Sequence, residues 1–139
     1  MSNLQFTELS IHNKVSMSSS QRVSEEIEER MLNFSTAIIE ISKNLAKTTE
    51  NEIIKKQLIR SGSSIGANYI EANNAASKLD FRNKIFVAKK EAAETRYWLR
   101  ILNTANPQIN IGQLLDEYSQ FLFILQKIVS SLKAAKLKA

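Results

Sequence analysis

The stretch IKKQLIRSGSSIGANYIEA, residues 54–72, decides the fold of this chain. Small and apolar residues recur in it every three to four positions, which is the spacing of one helix face. These positions are Ile54, Leu58, Gly62, Ile65, Tyr69 and Ala72, with Ala76 next in the series. A glycine inside a helix costs roughly 1 kcal/mol relative to alanine. Because Gly62 and Gly66 both lie here, we expect another helix to approach this backbone closely.

Three further segments show the same spacing. The first runs from about Arg22 to Ala46, the second of them follows Ser77, and the last begins near Gly112 after the only proline, Pro107. The predicted core positions of the first segment are Val23, Ile27, Met31, Phe34, Ile38, Ile41 and Leu45. Those of the segment after Ser77 are Phe81, Ile85, Ala88, Ala92, Thr95, Leu99 and Leu102. Those of the last segment are Leu114, Tyr118, Phe121, Leu125, Ile128 and Leu132. Four amphipathic helices are therefore expected.

Residue types that favour helix starts precede these segments. Ser24 followed by Glu25 places a capping residue and a carboxylate at the start of the first helix. Thr49 and Glu52 fit a capping box for the helix of residues 54–72. Ser77 is a third predicted N-cap.

The connections between the four segments are short, which makes consecutive helices antiparallel neighbours. The sequence therefore predicts an all-α, antiparallel up-down-up-down four-helix bundle over residues 21–139. Residues 1–20 show no sustained period and are expected to form a flexible leader, or a segment that becomes ordered only on a partner. Three glycines and one proline in 139 residues are too few turn residues for a β-sandwich or barrel.

Composition excludes several functional classes. The chain has no cysteine and one histidine, His12, so it offers neither a thiolate nor a helical histidine for a metal. Three carboxylates, Glu71, Glu91 and Glu94, lack the histidine partners of a di-iron bundle site. No apolar run approaches the ~18 residues that span a membrane, and no signal peptide is apparent. We expect a cytoplasmic protein without cofactor, metal or catalytic residues.

Charge is distributed unevenly along the chain. The net charge is +5 overall, with −3 over residues 21–54 and +6 over residues 55–100. The third segment carries cations that share or adjoin one helix face: Lys78, Arg82, Lys89, Lys90, Arg96 and Arg100. One interpretation is a phosphate-binding face. The other is salt bridges to the first helix, through Glu25, Glu28, Glu29 or Glu40.

Two other groups on these helices are candidates for contacts. Ser61, Ser64, Asn68 and Glu71 form a polar line beside the apolar seam of residues 54–72, and we expect Ser64, Asn68 and Glu71 to serve polar helix packing or assembly. Tyr97 and Trp98 lie beside Arg96 and Arg100, where rings either stack on bases or pack in the core.

The blocks QLIRSGSSIGANYIEA (57–72), KLDF (78–81) and EAAETRYWL (91–99) resemble the signature of four-helix-bundle proteins encoded by 23S rRNA intervening sequences. The resemblance covers roughly residues 25–135. It implies a ring-forming bundle, typically a homopentamer. The family is also similar to the accessory variability determinant proteins of diversity-generating retroelements, which bind nucleic acid and partner a reverse transcriptase. It supplies no catalytic residues.

The predicted function is thus a non-enzymatic, oligomeric bundle that binds structured RNA or DNA through phosphates. The alternative is a protein-interaction scaffold without nucleic-acid binding. Self-association is expected because the last helix carries Leu115, Leu122 and Val129 beside its core positions, and surplus apolar surface usually marks an interface.

Overall fold

The computed structural model describes residues 18–138, and side chains through residue 135. The residues predicted to form a leader lie outside the described part as far as residue 17. The described chain forms four long helices: α1, Ser19–Lys43; α2, Thr49–Asn73; α3, Lys78–Ala105; and α4, Gly112–Lys138. Within this part of the chain, no helix combines the length and apolar composition that crossing a bilayer requires.

The helix starts follow local capping, with two corrections to the predicted positions. The α1 helix begins five residues before Ser24, because Ser18 and Gln21 form a reciprocal capping box. The α2 helix is capped by Thr48, whose side chain accepts a hydrogen bond from the Asn51 amide, and Thr49 is already helical. Ser77 caps α3 through the Asp80 amide, as predicted.

Contacts between the helices define an antiparallel bundle. Ser35 bonds the Gly62 carbonyl, while Ser24, earlier in α1, bonds Asn73 at the end of α2. Each helix packs against its neighbours in the chain, and α4 closes the bundle against α1. The α1 and α3 helices therefore occupy diagonal corners. This confirms the predicted up-down-up-down arrangement.

The core consists of the predicted seams with small shifts. Phe34 and Phe121 meet edge to face with centroids 5.4 Å apart. Val23 was a predicted core residue, but it is 54% exposed. On α4, Val129 is buried and Ile128 is only partly so, the reverse of the prediction.

The predicted surplus of apolar surface on α4 is largely absorbed by this core. Leu115 and Leu122 are partly buried and pack against it, and Val129 belongs to it. These three residues thus serve folding, and they no longer support an interface on α4.

The two glycines of α2 allow α1 to approach closely, as expected. A Cβ atom at Gly62 would collide with Cδ1 of Ile38, which is fully buried. One at Gly66 would lie 3.1 Å from the Met31 Cβ atom, which no rotamer change can move. On α3, which also packs against α2, the small residues Ala88, Ala92 and Thr95 are buried as well.

A buried amide pair, Asn51 in the first turn of α2 and Asn106 after the end of α3, lies at the other end of this seam. The Asn106 side chain donates to Asn51 Oδ1 at 2.9 Å, and Asn51 donates to the Ala46 carbonyl at 2.9 Å. Both amides are nearly inaccessible to water and are hydrogen-bonded. Such a satisfied polar pair holds α1–α2 and α3–α4 in one register.

We predict that Gly62→Ala destabilises the protein, although alanine is the better helix former. The added methyl group overpacks the site against Ile38, which costs about 1–3 kcal/mol. The double variant Gly62→Ala/Ile38→Val removes the colliding Cδ1 atom and should recover part of this loss. Urea denaturation of the four variants in a double-mutant cycle measures the coupling.

Ser63→Ala is the matched control, since Ser63 lies next to Gly62 on the exposed side of α2. It should leave stability nearly unchanged. A gain in stability for Gly62→Ala alone, as at a solvent-exposed helix glycine, would show that α1 does not approach α2 in this way.

Candidate nucleic-acid interface

The predicted cations lie together along the outer side of α3. Successive residues of an α-helix are rotated by about 100° around its axis. Lys78, Arg82, Lys89, Arg96 and Arg100 therefore fall within a sector of about 40°. From Lys78 to Arg100 the row extends over about 33 Å at 1.5 Å per residue. Lys78, Lys90, Arg96 and Arg100 are exposed, and Arg82 and Lys89 are half-buried.

None of these six cations forms an ion pair with a carboxylate among residues 18–135. The predicted alternative, salt bridges from α3 to the acidic residues of α1, is wrong. The two helices stand at diagonal corners of the bundle and do not pack against each other as neighbours. Instead, Glu40 pairs with Lys43 on its own helix, and Glu28 accepts a hydrogen bond from Asn73.

The glutamates of α3 face the opposite way, toward α2. Glu91 and Glu94 both pair with Arg60, which lies between them. Lys84 pairs with Glu71 of α2 at 2.6 Å. The hydrogen bond and charge of Glu71 raise the pKa of Lys84 above its ordinary value. Glu71, Glu91 and Glu94 are thereby paired on the α2 side, and the other side of α3 keeps its positive charge.

The aromatic residues on α3 divide into supporting and exposed rings. Trp98 is half-buried, and its indole nitrogen donates to Glu94 at 3.1 Å. Tyr97 is 60% exposed and stands edge-on to Trp98, with ring centroids 5.8 Å apart. Arg82 lies over the Phe86 ring at 5.4 Å. Of the two predicted stacking residues, Trp98 therefore packs and Tyr97 faces solvent.

The polar line on α2 bonds mainly to its own helix. The Ser64 hydroxyl donates to the Arg60 carbonyl at 2.6 Å, and the half-buried Asn68 amide donates to the Ser64 carbonyl at 2.8 Å. Among the described residues, Asn68 makes no hydrogen bond to α3. Glu71 does reach α3 through Lys84, although it is exposed. A role of this line in assembly stays a prediction.

An apolar face on α1 and α2 was missed in the sequence. It consists of Leu32 and Ile39 on α1 and Ile70 on α2, which are 40–57% exposed. Leu32 and Ile39 are seven residues apart, a spacing that places them on one side of α1. This seven-residue spacing could have predicted the face from the sequence. The buried seam of α1 has more apolar positions and was therefore the more obvious pattern. We call these three residues the α1–α2 apolar face.

The described residues offer no assembled metal site. Within residues 18–138, no group of three or more histidine, aspartate or glutamate side chains gathers around a common point. Shallow grooves line α1, one of them beside Glu25, Glu28, Glu29 and the apolar Leu32 and Ile70. The chemistry that the described surface favours is charge contact on α3 and apolar contact on α1 and α2.

Comparisons with known proteins agree with this architecture. A crystal structure at 1.70 Å resolution, of a protein of unknown function from the S23 ribosomal protein family of Bacteroides thetaiotaomicron, superimposes with a TM-score of 0.68. It is 34% identical, and the match covers 77% of this chain and 97% of that one. Among curated proteins, none matches significantly. The sequence model of the family described as 23S rRNA-intervening sequence protein matches residues 24–127. The chain belongs to this family.

Proposed function

We propose that this protein is a non-enzymatic, self-associating bundle whose α3 face binds the phosphate backbone of structured RNA or DNA. The observation that carries the proposal is that six cations of α3, five of them in one row, have no ion-pair partner among the described residues. Such cations can contact phosphates without first breaking an internal salt bridge. Each phosphate contact releases counterions, which favours binding at low salt.

The arrangement favours binding with little sequence preference. Phosphate contacts fix the position of a protein on nucleic acid but do not read its bases. The row of about 33 Å along one helix is long enough to follow a backbone over several nucleotides. The family description refers to 23S rRNA, which makes a structured RNA the first nucleic acid to test. The lack of cysteine and the single histidine favour binding over catalysis.

Self-association is proposed through the α1–α2 apolar face, with a second copy of this chain as the partner. Exposed glutamates, among them Glu25 and Glu29, lie at the N-terminal end of α1. Because α4 is antiparallel to α1, its exposed Lys127 and Lys133 lie at the same end of the bundle. A parallel neighbour therefore places lysines level with glutamates. The resemblance to a ring-forming family makes five copies the expected number.

Reversing three cations on α3 tests nucleic-acid binding. The variant Arg82→Glu/Lys89→Glu/Arg96→Glu should bind a structured RNA more weakly and with a shallower dependence on salt. If each cation contacts one phosphate, the slope of log K against log salt falls by about 3. Fluorescence anisotropy between about 50 and 200 mM salt measures both quantities.

The matched control is Lys43→Glu/Lys47→Glu/Lys56→Glu, which changes the net charge equally at exposed positions away from α3. It should keep most of the affinity and of the slope. An equal loss for both triple variants would mean that only total charge matters. Failure of the unaltered protein to bind at about 50 mM salt would contradict the proposal and favour the scaffold alternative.

A second pair of variants tests self-association. Leu32→Gln/Ile39→Gln removes two apolar contacts, so it should release a monomer of 15.7 kDa. Size-exclusion chromatography with light scattering at micromolar concentration measures the mass. Leu79→Gln/Val87→Gln is the control, since these α3 side chains are similarly exposed, at 64% and 39%. A monomeric unaltered protein, or equal dissociation of both variants, would contradict the assignment of this face.

A further inference from the structure

Tyr97 presents an aromatic ring to solvent beside the row of cations on α3, about 60° around the helix from Arg100. Its 60% exposure contrasts with the half-buried Trp98 beside it and the half-buried Phe86 on the same helix. The ring therefore contributes little to the core. Arg96 and Arg100 flank it and are both exposed.

The position of the Tyr97 ring is supported from the α2 side. Trp98 contacts it edge to face at an interplanar angle of 68°. Trp98 is itself held by the hydrogen bond from its indole nitrogen to Glu94. Glu94 in turn pairs with Arg60 of α2. A side chain held in place before binding loses less conformational entropy when a ligand arrives.

On the N-terminal side of the Tyr97 ring, the surface of α3 carries a small side chain. Helical side chains lean toward the N-terminus, so the ring covers the turn that contains Ala93. Ala93 is exposed and ends at its Cβ atom. A planar group can therefore reach the ring while a neighbouring phosphate contacts Arg96 or Arg100.

We infer that Tyr97, Arg96 and Arg100 form a stacking site for an unpaired nucleotide base, an inference that rests on the proposed nucleic-acid binding. An aromatic ring stacks on the π-face of any base, whatever its sequence. Bases inside a duplex are already stacked on each other, whereas loops and bulges can place a base against a side chain. The preferred ligand class is thus structured RNA with unpaired nucleotides, and not a continuous duplex.

The test compares a hairpin RNA that has an unpaired loop with a blunt duplex of the same phosphate number. The unaltered protein should bind the hairpin more tightly. Tyr97→Leu should weaken hairpin binding about tenfold, within the range for loss of one base stack. It should leave duplex binding unchanged. Tyr97→Phe keeps the ring and should bind like the unaltered protein.

Trp98 provides an independent readout, because it is the only tryptophan of the chain. A base that stacks on Tyr97 lies close to Trp98, so the hairpin should change the tryptophan emission and the duplex should not. Phe123→Leu is the control, since Phe123 is 58% exposed and also lies beside a cation, Lys127, at 4.9 Å. This variant should bind the hairpin normally.

The outcomes separate the two proposals. Equal binding of hairpin and duplex, with no effect of Tyr97→Leu, would overturn the stacking site and leave phosphate binding in place. Equal losses for Tyr97→Leu and Phe123→Leu would also overturn it. Failure of the unaltered protein to bind either RNA at low salt would overturn both proposals.

Discussion

The diagonal placement of α1 and α3 is the constraint on which the surface of this protein depends. Of the four helices, α1 carries the most acids and α3 carries the most cations. If the two helices were neighbours, opposite charges would pair across their seam. Antiparallel packing of four consecutive helices instead separates them by the width of the bundle. The result is a cationic side on α3 whose charges are available to an external anion.

The same separation requires close packing at α2, which lies between these two helices. Gly62 and Gly66 let α1 approach the α2 backbone, and Arg60 on the other side holds Glu91 and Glu94 of α3. The helix thus combines two roles. On one side, α2 packs against α1 in the core. On the other side, its Arg60 forms ion pairs with Glu91 and Glu94, which keeps these two acids away from the cations of α3.

Helical periodicity was sufficient to predict the four helices and most of the core, because each seam repeats over six or seven turns. Periodicity alone could not determine which of two adjacent apolar residues is buried. Ile128 and Val129 differ by about 100° around α4, and the register of the finished bundle decides which of them is buried. The same limit applies to Tyr97 and Trp98. The start of α1 was misplaced because Ser18 with Gln21 caps the chain before Ser24 can.

The sequence predicts that the candidate site is a row of cations, but it does not predict that these cations lack ion-pair partners in the folded bundle. Spacing identifies Arg82, Lys89 and Arg96 as one face, but their partners depend on which helices become neighbours. The α1–α2 apolar face illustrates a further limit. Its members Leu32 and Ile39 lie beside a longer buried period, and only the packed bundle distinguishes surface from core.

Lysine acetylation footprinting with and without a structured RNA tests the central claim most directly, because it reports which face is covered. Addition of RNA at low salt should protect Lys78, Lys89 and Lys90 on α3. It should leave Lys43, Lys47 and Lys56, which are exposed elsewhere, as reactive as before. Protection confined to the second set, or equal protection of both, would contradict the assignment of α3 as the nucleic-acid interface.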